Sequence, residues 1–161
     1  MTEKIRLLFV DDEQEFLEYM TKRLTRREIE VSAFTSATEA LAQTEDLRFD
    51  VALLDLKMPE IAGDELLRML KERDPLIEVI VLTGHGSIQS AFSTSRSGAY
   101  EYLLKPCEFD ELATAISNAY AKRIKAEQRI KAEQVDSLFQ RAQSISPWTL
   151  LKELKKIKDD K

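Results

Sequence analysis

Short apolar runs alternate with amphipathic stretches along the first two thirds of the chain. The runs hold few charges, which is typical of strands that are buried on both faces. Between the runs, apolar residues recur every three or four positions, which predicts helices that bury one face. The predicted strands cover residues 5–10, 31–34, 51–54, 78–82 and 100–104. The order is therefore five repeats of a strand followed by a helix.

Capping residues and the spacing of apolar residues set the predicted helix boundaries. The first helix contains Phe16, Leu17, Met20 and Leu24 on one face. The predicted helices run from about residue 16 to about Arg27, from an N-cap at Ser36 through Leu41, from an N-cap at Asp64 to Pro75, over 87–97, and from about Phe109 onward.

Polar side chains follow four of the predicted strands. Alternating strands and helices predict a parallel sheet covered on both faces, and ligands of such sheets bind at the carboxyl ends of the strands. Asp11 and Asp12 follow the first strand, Asp55 the third, Thr83 the fourth and Lys105 the fifth. We expect these three carboxylates, one hydroxyl and one ammonium to converge at one edge.

The converging groups favour phosphoryl chemistry at a divalent cation. Crowded carboxylates repel one another until a proton or a cation relieves them. Mg²⁺ suits an all-oxygen ligand set, and Mn²⁺ is the alternative. A metal, a lysine and a hydroxyl stabilise a phosphoryl group, and a carboxylate that attacks phosphorus forms an acyl phosphate. The glycine-rich loops GxxxxGK[ST] and GxGxxG are missing from the sequence, so nucleotide binding by those routes has no support.

Composition and charge narrow the class of protein. Of 161 residues, 43% are apolar, enough for a hydrophobic core. The apolar runs fall far short of the ~18 residues of a membrane span, and the N-terminus does not resemble a secretory signal. We therefore expect a cytoplasmic protein. One cysteine, Cys107, and one histidine, His85, are too few for a structural zinc site.

The C-terminal part differs in charge from the rest. Residues 1–122 carry 14 basic and 23 acidic side chains, a net charge of −9, whereas residues 123–161 carry a net charge of +4. An acidic body repels nucleic acid, and a basic tail of this length is short for a folded DNA reader. We therefore expect no DNA-binding domain.

Residues 123–134 are an exact tandem repeat of the hexapeptide RIKAEQ. The two isoleucines of the repeat lie about 120° apart on a helix, so they cannot form one coiled-coil seam. We predict a mostly polar helical linker over 123–144, then a short amphipathic helix over 145–161 with Ser146 as N-cap and Pro147 at its first position. Its predicted inward stripe contains Leu150, Leu151, Leu154 and Ile157. This stripe can cover the chain's own body, a second copy, another protein or a membrane surface.

Four motifs, in order, resemble one known family. They are the acidic triple at 11–13, LLDLKMPEIAG at 53–63, VLTGHG at 81–86 and YLLKP at 102–106. The chain from residue 4 to about 122 resembles the response-regulator receiver domain of two-component signal transduction. The resemblance implies a flavodoxin-like sheet of strand order 2-1-3-4-5.

The resemblance also implies roles for individual residues. Asp55 would accept a phosphoryl group from a sensor histidine kinase or a phosphotransfer protein. Asp11, Asp12 and Asp55 would hold Mg²⁺, with the backbone carbonyl of Lys57 as a further ligand. Thr83 and Lys105 would contact the phosphoryl oxygens.

Further implied roles concern switching and lifetime. Thr83 and Tyr102 occupy the positions of the family's conformational switch. Lys57 and His85 lie two residues beyond the acceptor and beyond Thr83, where the family tunes the lifetime of the phosphoryl group. Lys105-Pro106 is the position at which the family has a cis peptide bond.

Together these features predict a phosphorylation-controlled binding protein with no recognised output domain and no enzymatic activity beyond its own phosphorylation and dephosphorylation. A phosphorelay shuttle or phosphate sink is the nearest alternative. A haloacid-dehalogenase-like phosphohydrolase also uses an aspartate, but at the end of its first strand, where this chain lacks an Asp-x-Asp pair. A pseudo-receiver scaffold would need no acceptor set at all. The downstream target, and whether the chain forms a homodimer, stay open.

Overall fold

Buried apolar strands alternate with helices in the computed structural model of the chain, which describes residues 3–84, 98–142 and 146–159. Each predicted strand forms. In chain order the elements are β1 (Ile5–Val10), α1 (Gln14–Thr25), β2 (Ile29–Phe34), α2 (Ala37–Asp46), β3 (Val51–Leu54), α3 (Gly63–Arg73), β4 (Glu78–Thr83), β5 (Glu101–Leu104), α4 (Phe109–Ala142) and α5 (Pro147–Asp159). The helix predicted over 87–97 lies outside the described residues.

The five strands form one parallel sheet in the order β2-β1-β3-β4-β5. This confirms the doubly wound, flavodoxin-like fold that the sequence predicts. Right-handed crossovers between parallel strands place the connecting helices on both faces of the sheet. The carboxyl ends of β1, β3 and β4 consequently lie side by side at the centre of one edge.

Two hydrophobic layers sandwich the sheet. On one face, alternate strand residues such as Phe9 and Leu53 pack against α1 and the first part of α4. On the other face, their neighbours such as Leu8 and Leu54 pack against α2 and α3. Each fully buried leucine contributes about 1.5–3 kcal/mol. The strands read as continuous apolar runs because successive side chains enter opposite layers.

Several predicted boundaries are wrong. α2 continues past Leu41 to Asp46, β2 begins at Ile29 rather than at residue 31, and α1 ends at Thr25. Ile29 belongs to the strand because it lies in register with Ile5 of β1.

The predicted N-cap of α3 is also wrong. Ala62 precedes the helix, and Asp64 lies in its first turn. Gly63 starts the helix because its backbone packs against the end of β3, where a Cβ atom would lie 2.3 Å from the carbonyl oxygen of Asp55. This close approach fixes the start of α3, and a capping preference read from sequence alone does not contain it.

The chain divides into two compact units after Arg123. The first unit contains the sheet and its helices. Arg123 is fully buried in it and binds Asp74 at 2.8 Å and the carbonyl oxygen of Phe49 at 3.2 Å. The sequence analysis assigned Arg123 to the mostly polar helical linker, and its full burial in the first unit is not expected from that assignment.

Residues 124–161, which we call the helical unit, contain the rest of α4 and all of α5. Ser146 caps α5 as predicted, since its hydroxyl accepts a hydrogen bond from the amide of Thr149 at 3.4 Å. The predicted inward stripe is only partly inward, because Leu151 and Leu154 are 52% and 38% exposed. None of the described helices is long and apolar enough to cross a membrane.

Candidate functional site

Strand register brings the acidic residues of the site together. Val10 pairs with Leu54, so Asp11 and Asp55 both leave the sheet at the same level on neighbouring strands. The amide of Asp55 donates to the carbonyl of Val10 at 3.0 Å, which continues the ladder by one more bond. Both carboxylates therefore extend from adjacent strand ends at this edge of the sheet.

Three carboxylates form a cluster at this edge. Oxygen atoms of Asp11, Asp12 and Asp55 all lie within 4.8 Å of one another. Asp11 and Asp55 are buried, whereas Asp12 is exposed. The cluster is therefore shielded from water at Asp11 and Asp55 and accessible to water at Asp12.

Lys105 contacts two of the three carboxylates of this cluster. Its ammonium Nζ is 2.7 Å from Asp11 Oδ2 and 3.4 Å from Asp55 Oδ2. Lys105 follows β5 directly. The amide of Lys105 donates to the carbonyl of Thr83 at 2.8 Å and so fixes the lysine backbone beside the end of β4. The Lys105-Pro106 peptide bond is cis, as the resemblance implies.

The electrostatics of the site match this geometry. Burial raises the pKa of Asp11 above its usual value, and the hydrogen bonds from Lys105 and the amide of Glu13 offset this only in part. Burial would lower the pKa of Lys105, but the hydrogen bond to Asp11 and the charges of Asp11, Asp55 and Glu13 raise it overall. Lys105 is thus held as a cation beside Asp11, a carboxylate that burial makes costly to ionise.

The other predicted site residues lie at different depths. Thr83 is buried at the end of β4, and Lys57 is exposed, with its amide donating to Asp55 Oδ1 at 3.2 Å. The hydroxyl of Tyr102 is buried and has no hydrogen-bond partner in the part of the chain that the structure describes. Burial, followed by the charge of Asp55, raises the pKa of Tyr102. His85 lies outside the described residues.

Sequence reasoning missed two residues that hold Lys105. Glu13 Oε1 lies 3.4 Å from the ammonium, and the Phe16 ring lies 4.4 Å from it, within cation–π range. Glu13 belongs to the acidic triple at 11–13, so the sequence contains a signal for its presence at the site. Phe16 fits the core spacing of α1, and only the structure shows its second contact.

The donor set fits a hard divalent cation. It supplies oxygen atoms only, and the exposed side of Asp12 leaves room for the water ligands that Mg²⁺ retains. A cation bound there would also relieve the cost of ionising the buried Asp11. Asp11, Asp12 and Asp55 are the side chains that would hold it.

Comparison with known proteins identifies the family. The family model described as "Response regulator receiver domain" matches residues 7–117, more than half of the chain. The chain belongs to the response regulator receiver family. Mg²⁺ binding through acidic residues and phosphorylation are general features of this family, and the chain is a receiver of two-component signalling.

Solved receiver structures resemble the chain in fold and in sequence. A response regulator receiver domain protein from Clostridium thermocellum is 36% identical, with a TM-score of 0.72, and covers 76% of this chain and 98% of its own. A CheY-like receiver domain protein from Methanospirillum hungatei is 30% identical, with a TM-score of 0.74, and covers 77% of this chain and 99% of its own.

Curated relatives are longer regulators. The regulatory protein LuxO of Vibrio cholerae is 34% identical over 102 residues, which are 63% of this chain and 22% of LuxO. The transcriptional regulatory protein ZraR of Klebsiella oxytoca is 32% identical over 119 residues, 74% of this chain and 27% of ZraR. The receiver chain thus spans about a quarter of the length of these relatives.

Proposed function

We propose that this receiver is a phosphoacceptor whose acceptor is Asp55 and whose phosphorylated state alters protein–protein binding. The observation that carries the proposal is that the Asp55 carboxylate lies within 4.8 Å of the other two carboxylates and 3.4 Å from the Lys105 ammonium. This arrangement supports nucleophilic attack by a carboxylate under a fixed positive charge.

The proposed step is a transfer from a phosphohistidine on a sensor kinase or phosphotransfer protein. A carboxylate oxygen of Asp55 bonds to phosphorus, the P–N bond breaks, and the histidine nitrogen leaves with the electron pair and takes up a proton. Lys105 and Thr83 would bind the phosphoryl oxygens. Mg²⁺, held by Asp11, Asp12, Asp55 and the Lys57 carbonyl, would supply charge neutralisation.

The alternative functions agree with the site to different extents. A haloacid-dehalogenase-like enzyme would use the aspartate that ends β1, but family membership places this chain among receivers, and Asp11 is tied to Lys105 at 2.7 Å. The complete set of charged groups argues against a pseudo-receiver scaffold. A shuttle in a phosphorelay or a phosphate sink uses the same acceptor, so it differs only in the partner.

Phosphorylation should require the metal. We expect incubation with a small acyl phosphate and Mg²⁺ to add one phosphoryl group, detected as an intact-mass increase. A chelator should reduce labelling to background, because uncompensated carboxylates repel the anionic donor. Mn²⁺ added in place of Mg²⁺ should restore it. Equal labelling with and without the chelator would contradict the proposed site.

We further propose that Lys57 and His85 set the lifetime of the phosphoryl group. Neither side chain is an acid or amide that readily positions the attacking water. Replacing either should change the dephosphorylation rate, followed by the decay of the phosphorylated mass, much more than it changes Mg²⁺ affinity. Unchanged decay in Lys57→Ala and His85→Ala would count against this role.

We also propose that the helical unit contacts a second copy of the chain. Phe139 and Trp148 are 69% and 78% exposed, and Leu151 adds further apolar surface. A groove of about 560 Å³ between α4 and α5 carries two acids and two bases, Glu133, Glu153, Arg141 and Lys156. Side chains of both signs in one groove suit a self-complementary contact, in which each acid of one copy can face a base of the other.

Truncation after Ser144 should therefore weaken self-association measured by sedimentation equilibrium. Leu151→Gln should weaken it too, whereas Tyr19→Gln, at an equally exposed site on α1, should not. The emission of Trp148, the single tryptophan, should shift to shorter wavelength on association and respond to phosphorylation. A solvated emission in both states, with unchanged assembly of the truncated chain, would rule this contact out.

A further inference from the structure

Glu60 has an unusual backbone conformation beside the site. It lies in the loop from Asp55 to Gly63, which we call the acceptor loop, and its φ angle is 73°. A side chain with a Cβ atom disfavours this left-handed region, and glycine adopts it freely. A glutamate at such a position needs an interaction that offsets the backbone strain.

The Glu60 side chain makes that interaction with another element. Its Oε2 accepts a hydrogen bond from the Thr38 hydroxyl at 2.7 Å and a longer one from the Ser36 hydroxyl at 3.4 Å. Ser36 is the N-cap of α2 and accepts from the amide of Glu39. The carboxylate thus lies at the positive end of a ten-residue helix, which strengthens its binding there.

The base of the acceptor loop is closed by backbone contacts. The amide of Gly63 donates to the carbonyl of Leu56 at 3.1 Å, and the Gly63 backbone packs directly on Asp55. Lys57, whose carbonyl is the proposed metal ligand, lies inside this closed loop. Glu60 at the tip and Lys57 are three residues apart within this closed loop, and this short connection is the structural basis for coupling them.

We propose that Glu60 is a positioning residue for the metal ligands: its bond to Thr38 anchors the tip of the acceptor loop on α2 and so holds the Lys57 carbonyl in place. This role rests on the proposed function, because it concerns the same metal site. Under this proposal α2 supplies no metal ligand itself, but its Thr38 side chain helps to hold the loop that supplies one.

The experiment measures Mn²⁺ binding by paramagnetic resonance, at a temperature where all variants are folded. Glu60→Gly removes the anchor and the backbone strain together, so we expect Mn²⁺ affinity to fall about three- to tenfold, which is comparable to the net contribution of one ordinary hydrogen bond. Thermal stability without metal should not fall. Thr38→Val, which removes the donor at an exposed position, should lower the affinity to a similar extent.

Two further variants make the test specific. Glu65→Gln removes an exposed negative charge from α3 and should bind Mn²⁺ as the wild type does. In the Glu60→Gly background, Thr38→Val should have no additional effect, because the two side chains share one interaction.

The outcomes separate this inference from the proposed function. Wild-type affinity in both Glu60→Gly and Thr38→Val, or effects that simply add, would overturn the positioning role while the metal site stands. A wild-type protein that neither binds Mn²⁺ nor accepts a phosphoryl group would overturn both.

Discussion

Asp55→Asn should reduce phosphorylation by a small acyl phosphate to background. An amide lacks the anionic oxygen that would attack phosphorus, while its size and shape stay close to those of the carboxylate and it keeps one acceptor oxygen. The substitution also removes one of three crowded negative charges, so the fold should survive it. The phosphorylated fraction is measured by intact mass after a fixed incubation with Mg²⁺.

A matched substitution controls for charge. Asp46→Asn, at the exposed end of α2, removes the same charge outside the cluster and should label as the wild type does. Asp12→Asn should still become labelled, but only at higher Mg²⁺ concentration, because it leaves the acceptor intact and removes a metal ligand. Full labelling of Asp55→Asn, with the group located on Asp11 or Asp12, would refute the assignment of the acceptor.

Arg123→Ala should destabilise the first unit by about 3–5 kcal/mol, the usual cost of removing one partner from a buried ion pair. The guanidinium is fully buried and binds Asp74 and the Phe49 carbonyl, and its Nε lies 3.6 Å from Asp50. Arg6 also binds Asp50, at 2.9 Å, so part of the charge stays compensated and the lower end of the range is expected. The change is measured as a shift of the urea midpoint followed by circular dichroism.

The tandem repeat supplies an internal control. Arg129 occupies the same position of the second RIKAEQ copy and is followed by the same five residues, but it is exposed. Arg129→Ala should change stability by no more than about 0.5 kcal/mol. Equal losses for the two variants would mean that local helix propensity, rather than the buried contacts, accounts for the effect.

Sequence alone was sufficient for the framework of the site. Short apolar runs such as residues 51–54, alternating with amphipathic stretches, predict strands buried on both faces, and parallel strands carry their carboxyl ends to one edge. That geometry makes the residues after each strand neighbours, so Asp11, Asp55 and Lys105 meet without any knowledge of side-chain packing. Their roles as ligands and acceptor stay predictions for the experiments above.

Tertiary structure decided the features that local sequence does not contain. Arg123 and Arg129 are followed by the same five residues, yet one is buried and the other is exposed, because Arg123 faces Asp50 and Asp74. Glu60 and Thr38 are 22 residues apart, and no spacing rule joins them. The start of α3 depends on how closely Gly63 approaches the end of β3. Periodicity reports which face of an element is buried, whereas these contacts depend on which distant groups that face meets once the sheet has formed.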